Sequence, residues 1–94
     1  MNTKSIKMMF DVRPLNLKTN LDDIAKRIIN EITVDGCYWN TEYKKEQQKS
    51  GFFILRIGAT VEDEKVSVDE LLERIEAMED QVQSVEICKY KKIR

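Results

Sequence analysis

Histidine is absent from the 94 residues, and with it go the commonest general base and the commonest metal ligand. Cysteine is scarce. Cys37 and Cys88 stand far apart and form no CxxC pair, so they read as reduced thiols that pack rather than react. The three glycines and single proline build neither a Walker-type GxxxxGK loop nor a GxGxxG fingerprint, and no nucleotide is expected in a phosphate cradle of this chain. No apolar run approaches the roughly 20 residues of a bilayer-spanning helix. The opening Met1-Asn2-Thr3-Lys4 carries no signal-peptide core; reduced thiols and a cytoplasmic location are therefore expected. Charge of one sign is not in excess either. Lys+Arg number 16 against 17 Asp+Glu, a net charge of −1, which argues against a general nucleic-acid binder.

What remains is a globular composition, 41% hydrophobic and 35% charged, of a length that fits one domain over residues 1–94. Ile6, Met8, Phe10 and Val12 alternate with polar or less apolar neighbours and predict a strand with one buried face, ended by Pro14. Thr19 or Asn20 caps a helix with Asp22 and Asp23 in its first turn, and Leu21, Ile24, Ala25, Ile28 and Ile32 form its apolar stripe. Asp35-Gly36 is a turn signal. Cys37 to Tyr43 alternates as a second strand, with Trp39 packing in the core or at the sheet edge. Lys44 to Gly51 is polar and predicts a loop. Phe53, Leu55, Ile57, Ala59 and Val61 give the face of a central strand. Ser67-Val68-Asp69-Glu70 has the form of a capping box, opening a helix buried through Val68, Leu71, Leu72, Ile75 and Met78. Val82 to Ile93 predicts the last strand, with Val85 and Ile87 inward. The order β-α-β-β-α-β predicts a ferredoxin-like α/β sandwich: a four-stranded antiparallel sheet with both helices on one face and the other face open.

Chemistry of its own is not expected from this chain. Glu62, Asp63 and Glu64 lack the spacing and central glycine of a calcium loop, so no metal site is predicted. Without histidine a nucleophile would need another base, and Cys37 and Cys88 each fall in a predicted strand, where packing is the commoner role. No cofactor is implied. Charge is segregated instead: acids dominate from Glu62 to Asp80, and Lys89-Tyr90-Lys91-Lys92-Ile93-Arg94 is a basic tail with apolar residues between its charges. The Phe52-Phe53-Ile54-Leu55-Arg56-Ile57 stretch does not match the aromatic signature of the RNA recognition motif, which leaves an RNA-binding domain on the same scaffold as the alternative reading.

Four segments carry a family resemblance: Phe10-Asp11-Val12-Arg13-Pro14, Asp35-Gly36-Cys37-Tyr38-Trp39, Val61 through Leu71, and Glu79 through Ile87. In this order, over nearly the whole chain, they resemble the guanine-nucleotide-exchange domain of translation elongation factor one, beta and delta subunits. The resemblance implies the same ferredoxin-like fold and a GTPase partner, elongation factor one alpha, with elongation factor one gamma as a further partner. The implied function is guanine nucleotide exchange, release of GDP so that GTP can load, with no direct nucleic-acid binding and no membrane association. It further implies that a lysine before the last bulky apolar residue reaches the partner's magnesium site. Lys92 and Ile93 match those positions, and Tyr90 matches an aromatic one. A glycine-aromatic-glycine turn ahead of the third strand is replaced here by Lys49-Ser50-Gly51-Phe52-Phe53. An ungapped alignment sets Ser50 at the aromatic position and a gapped one sets Phe52, which is preferred, beside Gly51. Arg94 extends one residue past the usual end. If the altered turn has lost its contact, a scaffold that binds the GTPase without exchange is expected instead.

Overall fold

The computed structural model describes residues 5–93, with the backbone alone at Lys92 and Ile93. The first alternating segment forms β1, Ser5–Pro14. Helix α1, Leu21–Glu31, follows from Asn20, whose side chain accepts hydrogen bonds from the Asp22 and Asp23 amides. The two strand segments β2, Cys37–Trp39, and β3, Lys44–Gln47, precede β4, Phe53–Glu62. Helix α2, Val68–Glu76, and β5, Val82–Ile93, complete the chain. The order across the sheet is β2-β4-β1-β5, with β3 also paired to β4 and every pairing antiparallel. This is the compact α+β arrangement expected, a ferredoxin-like sandwich with two helices packed on one face of an antiparallel sheet.

The fourth position in the sheet is occupied by a strand in two pieces. Trp39 pairs with Ala59 and Lys44 with Arg56, so residues 40–43 bulge out opposite Ile57 and Gly58 alone. The Asn40 amide still donates to the Gly58 carbonyl at 2.8 Å. Two expectations are corrected here. Thr41 and Tyr43 lie in the bulge rather than in the second strand. Lys44–Gln47 is a strand rather than a loop, and only the turn from Gln48 to Phe52 separates it from β4. The physical reason is that an edge strand reaching past the helices is wetted on both faces. It needs no apolar alternation, because its backbone pairing with β4 holds it.

Alternate residues of β1 and β4 supply the sheet side of the core, and Phe10, Val12, Leu55, Ile57 and Val61 are completely buried against Ile24, Ala25, Ile28, Leu71 and Ile75 of the helices. Each such side chain contributes about 1.5–3 kcal/mol by leaving water. Trp39 packs its ring 5.7 Å from that of Phe10 and donates its indole N–H to the Ile32 carbonyl at 2.9 Å, which satisfies both ends of an amphipathic side chain. Ser67 caps α2 by accepting from the Glu70 amide. The reciprocal half of the expected capping box is missing, because the Glu70 carboxylate turns to Arg74 one helical turn on.

Candidate functional site

The residues singled out by the sequence fall at two opposite ends of the sheet. β4 runs nine residue steps from Phe53 to Glu62, a length of roughly 30 Å at strand rise. Gly51 and Phe52 form the turn at its start. Tyr90, Lys92 and Ile93 lie at the other end of the sheet, since Lys92 pairs with Ile6, Ile93 with Ser5, and those two β1 residues pair with Val61 and Glu62. The longest dimension of the molecule is 46 Å. One partner touching both groups must therefore span most of the domain.

At the turn end, Gly51 has a φ of 90°, the left-handed conformation that glycine adopts without strain. The Gln48 amide donates to the Phe52 carbonyl at 2.7 Å and the Gly51 amide to the Gln48 carbonyl at 2.8 Å, closing a tight hairpin. Phe52 is half-buried and Ser50 exposed. Phe53, expected on the buried face, is 45% exposed, because β4 there runs out beyond the helices. The ring this turn presents to solvent most openly is thus Phe53, which an alternation pattern assigns to the core.

The other end is governed by an irregularity in β5. Phe10 pairs with Ile87 and Met9 with Lys89, which leaves Cys88 as an extra residue, a β-bulge. The bulge shifts the face on which later residues stand. Val85 and Ile87 lie on the helix side, as expected, but α2 covers only the start of β5, and Ile87 is 38% exposed. Past Cys88, Tyr90 stands opposite Met8 on the helix side and is 55% exposed. Lys89 and Lys91 stand opposite Met9 and Lys7 on the open face. The Lys92 and Ile93 side chains, and Arg94 altogether, lie outside the described residues. Among the described residues β5 pairs with β1 alone, so its outer edge carries free backbone groups.

The open face changes character along its length. Arg56, in the middle, makes a two-pronged ion pair with Asp11, at 2.8 and 3.2 Å, and lies 4.0 Å from Glu46. The Asp11 carboxylate holds the guanidinium more firmly protonated than usual. Toward the end of β5, Lys7, Lys89 and Lys91 surround Met9, Gly58 and Thr60, while Glu62, the acid at that end of the face, is engaged by the Tyr38 hydroxyl and Lys65. Sequence reading missed this group. Its signal was the alternation of Lys7 and Met9 with buried Ile6 and Met8, but only the register brings β5 lysines beside them. Burial pushes the Cys37 thiol up to about 11, away from the reactive thiolate. Among the described residues no three His, Cys, Asp or Glu side chains group as metal ligands, and no helix is long and apolar enough to cross a membrane.

Comparison with known proteins adds a family to this geometry. The model of the EF-1 guanine nucleotide exchange domain matches residues 7–93. A probable elongation factor 1-delta of Drosophila melanogaster is 41% identical over 86 residues, covering 92% of this chain and 33% of that protein. Elongation factor 1-beta of Artemia salina is 35% identical, covering 92% of this chain and 41% of that one. Elongation factor 1-beta of Dictyostelium discoideum is 37% identical, with 92% and 39% covered. The chain thus spans between a third and two fifths of the length of these relatives.

Proposed function

The chain belongs to the family of EF-1 guanine nucleotide exchange domains, and we propose that it promotes GDP release from translation elongation factor one alpha, so that GTP can load. The observation that carries this reading is the family match over residues 7–93, together with an exposed final strand ending in a run of cations. In this reading the chain is a regulator of a GTPase and makes or breaks no covalent bond itself.

The mechanism follows from charge. A GTPase holds GDP partly through a magnesium ion bridging phosphate and protein. The Lys92 ammonium, carried on a flexible stem at the end of β5, enters that site and competes for the same negative groups. Ile93 and Tyr90 pack against the partner beside it, while Gly51 and Phe52 at the far end make a second contact that fixes the orientation. Release accelerates only insofar as the complex favours the nucleotide-free state over the GDP-bound one.

Release of a fluorescent GDP analogue from the purified GTPase, followed by stopped flow, tests this. Wild-type chain is expected to accelerate release, and Lys92→Ala to lose at least tenfold of that acceleration, equivalent to about 1.4 kcal/mol, with an unchanged unfolding midpoint. Failure of the wild-type chain to accelerate release overturns the exchange function. Wild-type acceleration that Lys92→Ala retains in full overturns the lysine mechanism alone. A wild-type chain that binds without accelerating release is a scaffold.

A further inference from the structure

We propose that the open sheet face around Gly58 is a docking site for an acidic, extended protein segment that seats an apolar side chain in the dip above the glycine. The proposal is independent of the exchange reading and needs no GTPase.

Three observations converge on this spot. The first is the glycine itself. Gly58 sits in the interior of β4, where glycine costs about 0.5–1 kcal/mol against a residue with a side chain, and where it often marks a close approach by something else. It lies opposite the bulge at residues 40–43, an irregularity that a strand glycine often marks, but its own backbone conformation does not demand glycine. Its φ is not positive, and an added Cβ would meet the Met8 carbonyl oxygen at 3.4 Å and the Asn40 Cβ at 3.9 Å, ordinary contacts in both cases. Gly58 forms part of the lining of a hollow of about 270 Å³ beside Met9 and Thr60. That is smaller than the ~300 Å³ at which small-ligand pockets begin, and suits a protruding side chain better than a cofactor.

The second observation is the rim. Lys7, Lys89 and Lys91 line the hollow, and none of them makes an ion pair among the described residues. The third is their placement. Lys7 and Lys91 are directly opposite each other in the β1–β5 register, an arrangement that destabilises a sheet pair. Two features unfavourable to folding therefore coincide at one place, and an incoming carboxylate between the lysines would relieve one of them. An apolar floor with a cationic rim fits an alternating acidic and apolar strand. No aromatic ring lines the hollow itself. Tyr38, opposite Thr60 on the same face, is exposed but tied by its hydroxyl to Glu62, and a single ring is less than the series of stacking aromatics that holds single-stranded nucleic acid.

The test uses a synthetic peptide of alternating glutamate and leucine, titrated into the isotopically labelled chain at low ionic strength. The expected result is movement of the backbone amide signals of Lys7, Met9, Gly58, Lys89 and Lys91, saturating below millimolar peptide and weakening at high salt. Lys89→Glu is expected to weaken binding at least tenfold. Gly58→Leu, which intrudes into the hollow, should do the same, while Gly58→Ala should bind more weakly by only a few fold. A lysine–leucine peptide should not bind. Lys89→Glu lies on the exposed surface and keeps the test decisive if Gly58→Leu does not fold. The proposal is overturned by signals that do not move or move elsewhere. It is overturned equally by an oligouridylate that binds the same residues more tightly than the peptide, which would make the face a nucleic-acid surface. Salt-sensitive self-association abolished by Lys89→Glu would make the occupant a second copy of this chain.

Discussion

The two edges of the sheet solve the same problem in opposite ways. One edge, β2 with β3, is short, broken by the bulge at residues 40–43, and pinned by side chains to α1 and the residue after it. Trp39 donates to the Ile32 carbonyl, and Tyr43 and Lys45 both donate to the Asp22 carboxylate, at 2.7 and 3.1 Å. The other edge, β5, is twelve residues long, and among the described residues none of its side chains makes a hydrogen bond or ion pair. Its protection is of another kind, a bulge at Cys88 and lysines at 89 and 91, devices that discourage unwanted strand pairing. The pinned edge is held by side chains as well as backbone, the bare edge by its long backbone ladder to β1 and by burial of Val82.

The largest effects should therefore lie on the pinned edge. Trp39→Ala removes a ring packed on Phe10 and a satisfied indole donor, and should destabilise the domain by about 3 kcal/mol, the low end for deleting an aromatic, since Trp39 is only half-buried. Tyr90→Ala on the bare edge should change stability by less than about 0.5 kcal/mol. Urea denaturation of both variants checks this. Equal losses would abolish the distinction between the edges.

A smaller effect with a pH signature sits at Asp22. The Tyr43 hydroxyl, and after it Lys45, holds the Asp22 carboxyl below its ordinary value. A carboxyl depressed in the folded state contributes stability above its unfolded pKa and loses it as pH falls through the folded pKa. Tyr43→Phe should accordingly lower the urea midpoint at neutral pH, and the difference from wild type should shrink below the usual carboxylate range. NMR titration of the Asp22 carboxyl should show its pKa rising toward normal in the variant. A difference that persisted undiminished at low pH would assign the Tyr43 contribution to packing, not to this hydrogen bond.

Which parts of this were legible in the sequence follows from whether the signal is local. Helix starts were, because a cap speaks through its own neighbours: Asn20 and Ser67 both cap as read. So was the buried face of β1, since alternation of Ile6, Met8, Phe10 and Val12 reports burial directly. β3 was not, because an edge strand such as Lys44–Gln47 is recognised only by its backbone partner. Phe53 and Ile87 obey the alternation of core residues yet emerge from under the helices, and no pattern in a strand states how far the covering helix extends. The lysine cluster was least legible. Lys7 and Lys91 are far apart in sequence and meet only through the register.

A small predicted gain in stability most sharpens the contrast between the edges. Lys91→Glu converts the facing Lys7–Lys91 pair into opposite charges, which should raise stability by about 0.2–1 kcal/mol. The gain should fade at high salt, because both side chains are exposed and screened. On the pinned edge a change at a paired position weakens the fold. Here a change at a paired position should strengthen it, while weakening binding of an acidic peptide to the same face. The urea midpoint and the peptide titration, measured on one sample, read the two effects together. Opposite signs would mark the bare edge as a surface where the fold tolerates charge repulsion that recognition uses. A loss of stability in Lys91→Glu would instead mean that Lys91 has a favourable partner within the domain, and that β5 is held as firmly as the edge across the sheet.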